Sequence, residues 1–214
     1  MNTEVVREHC GVVLSRSLHN GYNMIRSLQY RGREACGAFA YGESITAVKW
    51  IGPVRTFDLV DLYRIFRGKK IYWWGFHVRY ATRGRKSEIL KDAHPHVIGG
   101  KVTDNGNHII IEDCDMAIIH NGQVETSGFS QSIDSAKLQT GCDSEALLHY
   151  YRAKGARELL KTAPGAYVLV IADRLTQSVL VMKDRHSIRP GIIGVKDGEY
   201  CVASENVAFL ENGA

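Results

Sequence analysis

The sequence has 214 residues, 44% of them hydrophobic and 23% charged. That is ordinary globular usage, which excludes disorder and sets the scale at one sizeable domain or two small ones. The net charge is only +4, and the basic residues are scattered apart from Arg83, Gly84, Arg85 and Lys86, so nucleic acid is not an expected partner. Five cysteines without a CxxC pair argue against a disulfide framework or zinc ribbon and suit a reducing cytoplasm, while no apolar run approaches the ~18 residues of a membrane span and residues 1–9 lack the apolar core of a secretory signal.

In chain order, residues 11–15 are valine-rich and read as a short buried strand. Residues 20–30 read as a helix, with Met24, Ile25 and Leu28 on one face and Gly32 as its stop. Strands follow at 36–41 and 45–50. Thr56 is the expected cap of a helix whose apolar set is Leu59, Leu62, Tyr63 and Phe66. The aromatic run 71–80 is a strand. Residues 81–106, polar and rich in glycine, read as a long loop or short irregular strands. A short strand at 116–119 ends at His120, Asn121 and Gly122. Asp143 opens a helix through Leu147, Leu148 and Tyr151, and a helical stretch at 156–161 continues or follows it. Strands at 166–172, 179–182, 191–195 and 200–203 complete the chain. Without a regular βαβ alternation, this order predicts an α+β fold of largely antiparallel sheets, two of them stacked face to face with helices outside.

The residues that could carry chemistry each have a plainer reading. Cys10 on position alone is a buried thiol. It nevertheless opens the first strand close to the N-terminus, and as a new first residue it could use its own α-amine, of pKa about 7.7–8.0, as general base. Arg79 ends the aromatic strand, where an arginine is either solvated or grips a carboxylate with two parallel hydrogen bonds. His94 and His96 suggest a metal, but no third ligand has convincing spacing, so neither metal nor cofactor is expected. His120-Asn121-Gly122 reads most simply as an Asn-Gly turn; its functional reading is an oxyanion hole. Asp143 is either the N-cap of its helix or the acceptor of a substrate ammonium.

Taken together and in order, Cys10, Tyr30-Arg31-Gly32-Arg33-Glu34, the segment from Arg79 to Gly84, His94-Pro95-His96, His120-Asn121-Gly122 and Asp143-Ser144-Glu145 resemble the class II glutamine amidotransferases. This is the N-terminal-nucleophile glutaminase domain found in amidophosphoribosyltransferase and in glutamine–fructose-6-phosphate aminotransferase. The resemblance covers the chain from Cys10 onward. Its end, from Asp184 to Pro190 and then Ala203 to Asn206, looks most like amidophosphoribosyltransferase.

The resemblance implies a four-layer αββα sandwich and a glutamine-hydrolysing enzyme. Cys10 would attack the side-chain amide and form a γ-glutamyl thioester. Asn121 and Gly122 match the oxyanion hole, Arg79 the group on the α-carboxylate, and Asp143 the group on the α-ammonium. Thr82 and His94 match further pocket positions, and Arg31 lies in the segment beside the nucleophile. Residues 1–9 resemble a propeptide, leaving 10–214 as the amidotransferase domain, active once the leader is removed. The synthase half of such enzymes is not seen before Ala214. The implied partners are therefore L-glutamine and an ammonia-accepting synthase subunit, of the phosphoribosylamine-forming kind by the likeness at the chain's end; a homo-oligomer is compatible. The alternative is a non-catalytic regulatory or ligand-binding relative that keeps its leader.

Overall fold

A computed structural model describes residues 10–80, 88–129 and 131–210. The elements run β1 (Gly11–Ser15), α1 (Leu18–Ser27), β2 (Ala35–Gly42), β3 (Ile45–Ile51), α2 (Leu59–Phe66), β4 (Ile71–Arg79), α3 (Ile89–Asp92), β5 (His96–Asp104), β6 (His108–Val124), α4 (Asp143–Thr162), β7 (Gly165–Asp173), β8 (Ser178–Lys183), β9 (Ile192–Lys196) and β10 (Glu199–Ala203). The strands form one continuous sheet in the order β8-β7-β6-β3-β2-β4-β1-β10-β9, with β5 on the other edge of β6. Every pairing is antiparallel.

Strand β6 is what folds this sheet on itself. Its first half pairs β3, from Trp50 opposite His108 to Ile45 opposite Cys114. Its second half pairs β7, from Met116 opposite Asp173 to Val124 opposite Gly165. The change of neighbour falls between Cys114 and Met116, just after Asp113, which has a φ of 58°, and the registers of both β3 and β5 against β6 shift within residues 111–116. Bulges of this kind bend the strand that carries them. Beyond the bend, β3 and β7 lie in different layers.

Side-chain alternation then builds three cores. Val13, Trp74, Phe76 and Val78 face α1 and α2, packing on Met24, Ile25 and Leu62. Val12, Leu14, Phe39 and Ala47 face the other way, against Ile119, Val170 and Ala172 of the second layer. Met116, Ile118, Leu169 and Ile171 face α4, packing on Leu147, Leu148 and Tyr151. Helices, sheet, sheet and helix make the αββα sandwich the sequence led us to expect.

Several local expectations are corrected. Helix α1 starts at Leu18 because Ser17 accepts a hydrogen bond from the Asn20 N–H. Gly32 is not its stop: its φ is −166°, extended backbone. Asp58, not Thr56, caps α2, in a capping box with Asp61, and Tyr63 on that helix is exposed. The polar stretch before residue 106 contains a nine-residue strand, β5, with a register shift at Gly99, longer than the short irregular strands expected because its outer positions are exposed and glycine-bearing. His120, Asn121 and Gly122 lie within the 17-residue strand β6 rather than in a turn. At Gly155, with φ 80° and ψ 172°, the helix path of α4 is broken, so the stretch at 156–161 follows a first helix rather than continuing it, and the N-cap of that first helix is Cys142 rather than Asp143.

Replacing Ile119, fully buried between the two sheet layers, by alanine is expected to lower unfolding free energy by about 2–5 kcal/mol. Replacing exposed Ile193 should change it by less than about 0.5 kcal/mol. Urea unfolding of the two variants measures both; equal losses would contradict the layered packing. Asp58→Ala should remove about 0.5–2 kcal/mol through the lost cap, read in the same experiment.

Candidate active site

The sheet alternation also assigns polar side chains to faces. Cys10, on the face that carries Val12 and Leu14, points between the layers, as do His77 of β4 and Asn121 of β6. Three buried bonds organise this end, two of them between the layers and one, from Val12 to Ser204, within the first layer. The His77 Nε2–H donates to the His120 carbonyl at 2.9 Å. The Val12 N–H donates to Ser204 Oγ at 2.8 Å, and the Asn121 Nδ2–H donates to the same hydroxyl at 3.3 Å. Asn121 is thus fixed in place from β10 across the layer gap.

Cys10 is half-buried at the mouth of a pocket of about 460 Å³, whose wall includes Asn121, Gly122, Asp143, Cys142 and Arg189. The Cys10 carbonyl accepts a 2.7 Å bond from Arg31 Nε. Arg31 is itself buried and ion-paired with Glu205, which also receives the Tyr30 hydroxyl. Burial pushes the Cys10 thiol above its ordinary value, and the Tyr80 N–H, Arg79 and Arg31 only partly offset this. A thiol in this setting, with an ordinary peptide bond before it, is a poor nucleophile.

Gly122 has a φ of 151°, and a Cβ there would lie 2.1 Å from the Ala166 carbonyl oxygen of β7. Only glycine fits, and its backbone N–H stays beside Asn121. Asp143 Oδ2 accepts the Val124 N–H at 2.9 Å. Its other oxygen lies 3.3 Å from Ser144 Oγ and 3.8 Å from His120 Nδ1. One carboxylate oxygen therefore holds the strand end, and the group borders the Cys10 pocket.

Arg79 and His94 lie beside this pocket rather than in its wall. Arg79 is paired with Asp92 at 3.3 Å and lines an adjoining cavity that shares Gly141 and Cys142 with the first. A Cβ on Gly32 would stand 2.3 Å from the Arg79 carbonyl, so glycine at 32 serves the close approach of that segment to β4. His94 is buried behind the pocket, its Nε2 within 2.8 Å of Ser144 Oγ, which is also 2.8 Å from His120 Nδ1. Thr82 and residues 1–9 lie outside the described residues.

Four buried imidazoles collect here. The His77 and His94 rings stack at 4.0 Å, and His96 meets His94 edge-on at 4.7 Å. Burial pushes His77 down to about 3 and His94 and His96 well below their ordinary value. Burial also lowers His120, although Asp143 opposes it. All four are neutral imidazoles near neutral pH.

The sequence reading gave no site role to His77 or Cys142, and Ser144, Arg189 and Ser204 entered it only as members of the family-like motifs, without a role of their own. They meet only because β4, β6, α4 and β10 converge at one end of the sandwich.

Comparison with known proteins follows the same line. The model of the glutamine amidotransferase domain family matches residues 98–211. Glutamine–fructose-6-phosphate aminotransferase (isomerizing) from Vibrio parahaemolyticus is 30% identical over 201 residues, 87% of this chain and 29% of that protein. The enzyme of that name from Methanosarcina acetivorans is 29% identical over 209 residues, 88% of this chain and 30% of that protein. The chain thus spans about three-tenths of the length of these relatives. Among solved structures, glutamine phosphoribosylpyrophosphate amidotransferase from B. subtilis superposes with a TM-score of 0.68 at 24% identity, over 94% of this chain and 42% of that one. That likeness establishes the N-terminal-nucleophile hydrolase fold, and with the family match it leads to one conclusion: the chain belongs to the glutamine amidotransferase domain family, as a class II member.

Proposed function

We propose that this domain, with Cys10 as its first residue, hydrolyses L-glutamine to glutamate and ammonia. The observation that carries the reading is the convergence of Cys10, the pair Asn121-Gly122 and Asp143 on one pocket from three separate places in the chain. A glutamine-specific site needs a nucleophile, an oxyanion hole and an anion for the α-ammonium, and these residues supply the three. Arg79, one wall away and held by Asp92, is the cation for the α-carboxylate, reached by exchanging that partner. By the family resemblance Thr82 is a further substrate-binding residue, His94 acts from behind the pocket through its bond with Ser144, and Arg31 holds the Cys10 carbonyl.

The steps balance as follows. The Cys10 thiol gives its proton to its own α-amine, and Sγ attacks the glutamine amide carbon. Asn121 Nδ2–H and the Gly122 N–H stabilise the oxyanion. The proton passes to the leaving nitrogen, ammonia departs and a γ-glutamyl thioester remains. Water then adds to the thioester carbonyl, glutamate leaves and the thiol is restored. The amine exists only once residues 1–9 have been removed, and the raised Cys10 pKa supports the need for that base. The relatives' names pair glutamine with a sugar-phosphate acceptor, and the chain spans three-tenths of their length. In this reading the ammonia goes to a synthase of the phosphoribosylamine-forming kind, outside the glutaminase domain, in the cytoplasm.

Protein starting at Cys10 should release glutamate from glutamine, and Cys10→Ala should not; no glutamate from the processed wild type would sink the proposal. Asn121→Ala should lower kcat by about 10²–10³-fold, the cost of one oxyanion donor, with the melting temperature little changed. In protein that keeps its leader, Cys10 should react with iodoacetamide at pH 7 more slowly than a free cysteine and accelerate as pH rises toward its elevated pKa. Peptide mass spectrometry reads the rate, and rapid alkylation at neutral pH would argue against a buried, unactivated thiol.

A further inference from the structure

Behind Asp143, the donor atoms of His94, His96 and Cys142 lie within 4.8 Å of one another. His94 and His96 begin the β5 segment, and Cys142 caps α4. The two nitrogens His94 Nδ1 and His96 Nε2 are buried and have no hydrogen-bond partner among the described residues. A buried imidazole nitrogen without a partner forfeits about 1–3 kcal/mol of desolvation, so two of them beside one thiol call for an occupant.

We propose that His94, His96 and Cys142 form a metal site with two nitrogen donors and one sulfur, suited to Zn²⁺. The donor set is the borderline-soft one that zinc takes. Donors around one tetrahedral zinc stand about 3.4–3.6 Å apart, from bonds of about 2.0–2.3 Å, so the three groups must draw in by about 1 Å, within reach of side-chain rotation. The outer contacts suit a ligand histidine: His94 Nε2–H has the Ser144 hydroxyl as acceptor at 2.8 Å, which frees Nδ1 for metal and fixes its tautomer. Lys49 and Arg79 put positive charge nearby, and Asp143 and Glu145 put negative charge there. Cys142 borders both cavities, which gives the ion an entry path. The fourth position is left to water. Bound metal would tie the N-terminus of α4 to the start of β5, behind the candidate pocket. The site stands independently of glutamine hydrolysis.

The test is metal titration of the whole chain after chelator treatment. One equivalent of Co²⁺ should give a thiolate-to-cobalt charge-transfer band, which Zn²⁺ should abolish by displacement. Cys142→Ser should lose the band, His96→Gln should weaken Co²⁺ binding by at least about tenfold, and Cys10→Ser should keep both band and affinity. A variant-free arm follows iodoacetamide labelling by mass spectrometry: Zn²⁺ should protect Cys142 and leave Cys10 unprotected. No band in the wild type, a band that survives Cys142→Ser, one that disappears with Cys10→Ser, or equal Cys142 labelling with and without Zn²⁺ would each overturn the site.

Discussion

One strand belongs to both layers of this molecule, and the rest of the structure follows from that. Between Cys114 and Met116 strand β6 exchanges β3 for β7 as its neighbour, and a sheet of ten strands becomes two stacked faces. The exchange leaves no layer edge at the join, since β5 stays paired along the other side of β6. It also sets the second half of β6 over β1 and β4. His120 and Asn121, adjacent in sequence, then serve opposite faces, as alternation along a strand requires. Asn121 looks toward Ser204 and the Cys10 side, and His120 toward Ser144 and Asp143.

The space between the layers is divided by chemistry. Its larger part is apolar, from Val12 and Phe39 to Ile119 and Val170. The end beside the Cys10 pocket is polar, with His77 bonded across the gap to the His120 carbonyl and Ser204 joining β1 and β6. Polar groups are tolerable there because they are paired across the layers, and the same pairing gives the pocket wall its rigidity. The exceptions among the described residues include one unpartnered nitrogen on each of His77, His94, His96 and His120, and of these residues His94 and His96 stand next to a third potential donor, Cys142. Around Cys10, Arg31 plays a similar organising part, with its guanidinium shared between the Cys10 carbonyl and Glu205.

Membership of the glutamine amidotransferase domain family accounts for the scaffold and for the glutamine-directed reading of the pocket. The ammonia acceptor is a different matter. The sugar-phosphate chemistry named for the relatives resides in proteins of which this chain spans about three-tenths, so it does not transfer with the domain.

The sequence by itself determined the elements whose signal is local. Alternating or continuous apolar runs marked β1 to β4 and β7 to β10 to within a residue or two, and helical spacing marked α1 and α4. The ordered motifs from Cys10 to Asp143 also carried the family and the αββα fold. What it could not supply was long-range. The length of strand β5 was hidden because exposed, glycine-bearing positions carry no burial pattern. The Asn121-Gly122 pair read as a turn because dipeptide chemistry does not register a neighbouring strand, whereas Gly122 is there to let β7 pass within contact distance. Asp143 read as a cap because nothing local reveals the Val124 N–H that takes its oxygen. The grouping of Cys142 with His94 and His96 joins residues 46 to 48 positions apart. Only the packing of α4 onto β5 and β6 decides that, since contacts between elements depend on where each face is buried and not on spacing along the chain.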